Sequence, residues 1–390
     1  MARRDFEGMG TNTLLAHAGN DPRDFFGFVN PPVVHASTVL YPDAATMVAR
    51  NQKYTYGTRG TPTTDALAAA VDALEGSAGT IVVPSGLAAV TVPLLAFLSS
   101  GDHALITDSV YHPTRHFADT MLKRLGVEVD YYDPLVGAGI EALMKPNTKV
   151  VFTESPASNT FEMQDIPAIA RVAKGRDAVV MMDNTWATPV FFRPLDHGVD
   201  ISIHAATKYP AGHSDVLAGT VSANESCWNR LQETFFTLGA CSGPDDVYQV
   251  LRGLRTMGMR LERHQRSALD LAGWLETQPG VARVLHPGLE SNPGHAIWKR
   301  DFSGASGIFS IVLDGGGPVS AHAFLDALQI FGLGYSWGGY ESLAVPVNIS
   351  DRTVAGNSYE GPILRLQIGL EDVDDLRADL GRGLAAAAAV

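Results

Sequence analysis

Through the first two thirds of the chain, short apolar runs alternate with stretches of helical periodicity. Runs at 80–84, 103–107, 149–153, 178–183 and 201–204 are rich in Val, Ile, Leu, Met and Ala with little polar interruption. That pattern predicts strands covered on both faces. Segments 117–125 and 166–173 place apolar residues three and four apart and read as helices between those strands. The alternation predicts an α/β domain with a mostly parallel sheet, whose ligands gather at the C-terminal ends of the strands.

After a helical stretch at 249–264 the rhythm changes. Strand-like runs at 281–286, 307–313 and 363–369, with helices at 321–328 and 373–384, predict a smaller C-terminal α+β domain. The first 60 residues carry Gly, Pro, Asn and aromatics with little periodicity, which suits an arm laid over another surface. The expected division is an N-terminal arm at 1–60, a large domain at 61–255 and a small domain at 256–390. No internal repeat is visible, and the alanine run at 385–389 reads as a helix end.

Composition narrows the function classes. The chain has 390 residues, 45% of them hydrophobic, enough for two domains around a well-buried core. Its net charge of −13, with no basic run, predicts no nucleic-acid partner. The most apolar window, 81–98, is interrupted by Pro84, Ser85, Gly86 and Pro93 and lacks cationic flanks, so it reads as strand, turn and helix and not as a membrane span. Residues 1–11 include two arginines but no apolar stretch of signal-peptide length. Two cysteines, Cys227 and Cys241, are too few for a disulfide scaffold. A cytoplasmic protein is expected, and no metal site is predicted.

The chemistry concentrates between Asp200 and Asp215, which read DISIHAATKYPAGHSD. Lys208 lies on a tight loop after an apolar strand, and a second strand ends in Asp183 about 25 residues earlier. A lysine that captures the aldehyde of pyridoxal phosphate needs a carboxylate to keep the cofactor's ring nitrogen protonated. Asp183, at the end of an apolar run, needs a cationic partner because an unpaired buried carboxylate costs several kcal/mol. Asp200, Ile201, Ala205, Ala206, Thr207, Lys208, Tyr209, Gly212, His213 and Ser214 resemble the lysine signature of the Cys/Met-metabolism family of pyridoxal-phosphate enzymes. Pro210 stands where that family usually has an aliphatic residue.

The resemblance covers nearly the whole chain, being weakest in the first 20 residues, and it implies a fold of the aspartate aminotransferase type, the fold type I of pyridoxal-phosphate enzymes. Lys208 then holds the cofactor and moves the substrate's Cα proton, and Asp183 meets the ring nitrogen. Ser85, Gly86 and Leu87 open an apolar helix whose free amides suit a phosphate. The resemblance assigns the Gly86 and Leu87 amides and the Thr207 hydroxyl to that phosphate, with Ala205 replacing a serine used by some members. It places Tyr111, after the 103–107 strand, against the cofactor ring, where a flat aromatic stacks well. The stretch 54–63, YTYGTRGTPT, resembles an arm motif in which a tyrosine and an arginine two residues later reach a neighbouring subunit's phosphate. Tyr56 matches, but position 58 is Thr58 and the arginine is Arg59. On an extended arm that one-residue step turns the side chain the other way. Either a local bend re-aims Arg59, or Tyr56 and Thr58 hold the phosphate with less charge compensation.

Arg365 sits in a strand-like alternation, LRLQIG, where a guanidinium among apolar residues wants a carboxylate. The family uses an arginine there for the substrate's α-carboxylate. Residues 335–342, YSWGGYES, resemble the substrate loop of the bacterial β-eliminating members. Members acting at Cγ usually have glutamate where Tyr335 stands and leucine where Trp337 stands, and many carry asparagine where Ser158 stands. An uncharged aromatic wall offers no further base for a second proton transfer at Cβ. The resemblance therefore implies a carbon–sulfur lyase of methionine biosynthesis that splits L-cystathionine into L-homocysteine, pyruvate and ammonia. Lys208 serves as base, with Lys208 or Tyr111 as proton donor to sulfur and with Arg365 and Ser336 orienting the amino acid. It also implies a homotetramer, a dimer of dimers with shared sites. A γ-acting relative, a cysteine desulfhydrase and a non-catalytic pyridoxal-phosphate-binding regulator stand as alternatives. A nicotinamide dehydrogenase is disfavoured, since no GxGxxG lies between a strand and a helix.

Overall fold

Two sheets organise the chain in the computed structural model, which describes residue 6 and residues 8–356 and 359–390. The first is seven-stranded and built from β1 (Gly79–Val83), β2 (His103–Thr107), β3 (Glu128–Tyr132), β4 (Thr148–Glu154), β5 (Val179–Asp183), β6 (Ile201–His204) and β7 (Gly219–Ala223). Their spatial order is β1-β7-β6-β5-β4-β2-β3. Strands β2 to β6 pair in parallel, and β7 runs antiparallel to both β1 and β6.

Both faces of this sheet are covered, which is why its strands read as continuous apolar runs. Val150, Phe152, Ile106 and Met181 point into one hydrophobic cluster, shared with the helix Gly86–Phe97. Their neighbours Val151, Leu105, Val180 and Met182 point into another, shared with the helix Ile166–Lys174. The two-residue side-chain period sends alternate residues to opposite faces, so a run with no polar gap must be buried twice.

The second sheet has five strands, β8 (Val281–Leu285), β9 (Ile308–Leu313), β10 (Gly332–Leu333), β11 (Leu343–Val347) and β12 (Ile363–Gln367), in the order β10-β11-β12-β9-β8. It is antiparallel except for the β10–β11 pair. The helices Gly317–Asp326 and Val373–Ala387 pack on it through Phe324, Leu376 and Leu380, all fully buried.

Four strands escaped the hydrophobic pattern. Edge strand β3 is half exposed and alternates Glu128, Asp130 with apolar positions. In β7 the sequence GTVSA is small and hydroxylated. Strand β10 is two residues long, and β11 contains Pro346. The helix expected at 117–125 begins earlier, at His112, and passes through a single π-helical turn at Ala118–Leu122. In the first 60 residues, Thr11–His17 and Ala44–Ala49 are short helices, and Phe26, Leu40 and Val48 are 99%, 86% and 86% exposed.

The topology aims the chemistry at one place. Ser85 follows β1, Tyr111 follows β2, Glu154 and Asp183 end β4 and β5, and Lys208 follows β6. Parallel strands deliver all of these at their C-terminal ends, as the rule for open α/β sheets requires. From the second sheet, Arg365 on β12 and the loop between β10 and β11 close the same space.

Candidate active site

Lys208, Asp183, Ser85, Gly86, Leu87, Tyr111, Ser158, Thr207, Tyr335, Ser336, Trp337 and Arg365 all line one cavity of about 390 Å³. Residues from seven separate stretches, up to 280 apart in sequence, meet there.

The Lys208 amine donates to Ser336 Oγ at 2.6 Å and lies 5.3 Å from the centre of the Trp337 ring. Burial, with the Arg365 charge nearby, brings its pKa down to about 8, while Asp183 pulls the other way. A lysine tuned in this way is a usable base near neutral pH. Asp183 accepts from the Thr185 amide at 3.0 Å. Burial pushes its carboxyl up, opposed by the Thr185 bonds and by His204 and Lys208.

Arg365 donates to Asn159 Oδ1 at 3.1 Å and to the Ser336 carbonyl at 3.3 Å. Burial lowers its pKa, yet no carboxylate pairs with this guanidinium among the described residues, which leaves it free to grip an incoming anion. Ser336 has φ of +88°, a backbone conformation that side-chain-bearing residues rarely adopt. Strain of this kind persists where surroundings over-determine it, and here three contacts do so. Lys208 holds the hydroxyl, Arg365 holds the carbonyl, and Gly338 packs the loop onto the lysine turn. At Gly338 (φ +84°) an added Cβ would stand 2.9 Å from the Tyr209 nitrogen and 3.0 Å from the Lys208 carbonyl carbon, so only glycine permits this approach. Ser214 bonds to Glu341 and ties the two loops again.

Ser85 caps the helix Gly86–Phe97 by accepting from the Ala88 amide at 3.0 Å. The Gly86 and Leu87 amides precede any intrahelical acceptor and remain open to a ligand. A Cβ on Gly86 would meet Ala205 Cβ at 2.5 Å, so the floor of this turn admits no side chain. Thr207 lines the cavity, but its hydroxyl donates to the Ala218 carbonyl at 3.1 Å and accepts from the Ala218 amide at 3.0 Å. A phosphate there meets a hydroxyl already engaged with backbone.

Tyr56 and Arg59 are not brought to this cavity. They line a separate one of about 530 Å³, where the Arg59 guanidinium lies 4.4 Å from the centre of the Phe236 ring. Gly57–Arg59 forms a 3₁₀ turn and not an extended arm, so the strand-parity argument against Arg59 does not apply. Two further residues belong to the site. Asn159 bonds Arg365, and its φ of +66° is invisible in sequence. Glu154 accepts from the Tyr111 amide at 2.8 Å; its place beside Asp183 follows from strand register alone.

A half-buried lysine of lowered pKa, a carboxylate in the same pocket, open amides at a helix start and a guanidinium without a carboxylate partner make a donor set that fits a phosphorylated, protonated heterocycle carrying an aldehyde. That class of site is shared by sequence. Residues 12–385 match the model of the Cys/Met metabolism PLP-dependent enzyme family, and the chain belongs to it. The chain is 70% identical over 385 residues to a putative cystathionine beta-lyase of Rhizobium johnstonii, covering 98% of this chain and 97% of that one. It is 45% identical to the cystathionine beta-lyase of Salmonella typhimurium, covering 96% and 98%. In structure it resembles a cystathionine gamma synthase from Xanthomonas oryzae pv. oryzae at a TM-score of 0.91 and 33% identity, covering 97% and 99%. The expected α/β, type I fold is thereby established, with pyridoxal 5'-phosphate as the cofactor.

Proposed function

We propose that the protein cleaves L-cystathionine by β-elimination, with uptake of water, to L-homocysteine, pyruvate and ammonia. The observation that carries this reading is the continuous set of contacts from Lys208 through Ser336 to Arg365, in a cavity that also holds Asp183. It sets a base beside the grip for an α-carboxylate. The curated relatives named cystathionine beta-lyase support the substrate.

Bound pyridoxal phosphate supplies an electron sink for the charge released at the substrate's Cα; this chain supplies everything else. Lys208 would hold the cofactor, Asp183 would keep its ring nitrogen protonated, and Tyr111 would cover its ring. The Gly86 and Leu87 amides with Thr207 would take its phosphate. Arg365 and Ser336 grip the carboxylate and place the Cα proton within reach of the Lys208 amine, and such placement makes a proton transfer fast. Lys208 takes that proton and, as the ammonium, delivers it to the departing sulfur, with Tyr111 as a second donor. Tyr335 and Trp337 wall the pocket without adding a base, which leaves γ-chemistry without its second proton acceptor. Ser158, its amide bonded to the Ser109 carbonyl, completes the wall.

The unit on the seven-stranded sheet is read as the cofactor domain, with the division from the smaller domain near residue 255. Tyr56 and Arg59 of a second subunit would complete the phosphate site, in a homotetramer built from site-sharing dimers. Their distance from their own chain's cavity and the exposed Phe26, Leu40 and Val48 of the arm support this assembly. No described helix is long and apolar enough to cross a membrane, and Cys227 and Cys241 are unpaired, in keeping with a cytoplasmic enzyme.

Product analysis tests the reaction directly. With cystathionine as substrate, pyruvate and homocysteine are expected; 2-oxobutyrate and cysteine as main products would overturn the assignment in favour of a γ-acting lyase. Arg365→Leu is expected to raise KM for cystathionine about 100-fold, the loss of a charged hydrogen-bonded pair. Because Arg365 also depresses Lys208, the activity profile of the variant should move toward higher pH. An unchanged KM would remove Arg365 from substrate binding.

A further inference from the structure

The pocket carries one carboxyl group more than the reaction uses. Glu154 and Asp183 are paired residues at the ends of the parallel strands β4 and β5, and both line the cavity. Adjacent strands lie about 4.8 Å apart, so two negative charges here would repel in a poorly solvated space. The cations nearby do not pair with Glu154. Arg352 is paired with Glu162 at 2.8 Å, and Lys208 and Arg365, turned to Ser336 and Asn159, are the base and the carboxylate grip of the proposed reaction. A single cationic ring nitrogen cannot neutralise two carboxylates, and in such a pair one group keeps its proton.

Position decides which one. Asp183 accepts from the Thr185 amide and lies near Lys208 and His204, all of which favour its charged form. The Glu154 carboxyl has one hydrogen bond among the described residues, from the Tyr111 amide to Oε2. Burial and the Asp183 charge hold its carboxyl well above the usual range, against weaker opposing pulls from the Tyr111 amide and Arg352.

We propose that Glu154 is a positioning residue that works as an uncharged carboxylic acid: one oxygen fixes Tyr111 at the pocket wall, and its proton spares Asp183 a competitor for the cofactor's ring nitrogen. The proposal rests on the cofactor placement above. A carboxyl oxygen accepts the Tyr111 amide whether or not the group is ionised, so the neutral form loses nothing in orienting the tyrosine.

Glu154→Gln keeps the acceptor and the neutral shape, and Glu154→Leu removes the acceptor. Three measurements on holoenzyme separate the cases: infrared difference spectra of the carboxylic-acid C=O band, the pH titration of the cofactor's visible absorbance, and kcat on cystathionine. The wild-type holoenzyme should show a protonated-carboxyl band that Glu154→Gln lacks, with the chromophore titrating within about 0.3 pH unit of wild type in that variant. Glu154→Leu should lose about tenfold in kcat, the cost of leaving the Tyr111 amide unpaired, and glutamine should restore most of it. Absence of the band in wild type, or a fall of about one pH unit in the chromophore titration of Glu154→Gln, would show that the group acts as an anion and overturn the proposal. Should Glu154→Leu fail to fold, the band and the glutamine titration decide alone. Failure of the cofactor placement is distinguishable, since Lys208→Ala and Asp183→Asn would then leave the bound chromophore unaltered.

Discussion

Lys208→Ala is expected to reduce kcat on cystathionine by at least about 10⁴-fold, since it removes the proposed attachment point of the cofactor and the proposed proton carrier at once. In the wild type, borohydride should fix the cofactor to the peptide containing Lys208; in the variant no label should be retained. Label recovered on another lysine, or activity within tenfold of wild type, would end the assignment. The lowered pKa adds a pH signature. Capture of pyridoxal phosphate by the apoprotein requires the unprotonated amine, so its rate should rise as pH climbs toward about 8 and level off above it. An ordinary lysine, titrating near 10.4, would keep rising for about two further pH units. At pH 7 the depressed pKa raises the free-amine fraction roughly 200-fold. In the proposed reaction, the burial that costs this amine its proton is therefore part of its function.

Asp183→Asn carries the second-largest expected effect. The amide preserves shape and can still accept from Thr185, but it offers no charge to a protonated ring nitrogen. Breaking a buried charge pair on one side costs about 3–5 kcal/mol, and kcat should fall by about 10²- to 10³-fold with KM little changed. The split matters, because the proposed grip on substrate is Arg365 with Ser336, and neither is bonded to Asp183. A loss smaller than about fivefold, or one confined to KM, would show that Asp183 serves the fold and not the reaction. The bound cofactor's absorbance should also shift its titration in Asp183→Asn, a readout that misfolding does not produce.

The parallel core was legible because each of its strands is buried on both faces, and double burial leaves an unbroken apolar run in sequence. Strand β3 was not, because an edge position exposes one side and admits Glu128 and Asp130. Strand β7 was not, because GTVSA packs close to a helix start, where Gly219 lies against the Ser85 carbonyl and the Ala89 methyl, and small residues carry no hydrophobic signature. At the site, Asp183 and Arg365 announced themselves as charged groups inside apolar strands, and Lys208 as one just beyond such a strand. Glu154 had the same credentials at the end of β4, but its role depends on standing next to Asp183. Asn159 depends on a positive φ that brings its amide to Arg365.

By itself the chain's order of residues determined the class of fold, the identity of the chemical groups and the family they resemble, since each is written in local pattern: periodicity for strands and helices, and fixed spacing for the lysine turn. Tertiary structure alone decided which groups share a cavity and in what ionisation state. It brought a turn after β6, a loop between β10 and β11 and a strand of the second sheet to one amine, bent Gly57–Arg59 away from that cavity, and set two carboxyls side by side. Proximity, register and desolvation are properties of the packed molecule, and a lysine's pKa near 8 or a glutamate's retained proton exists only where those three coincide.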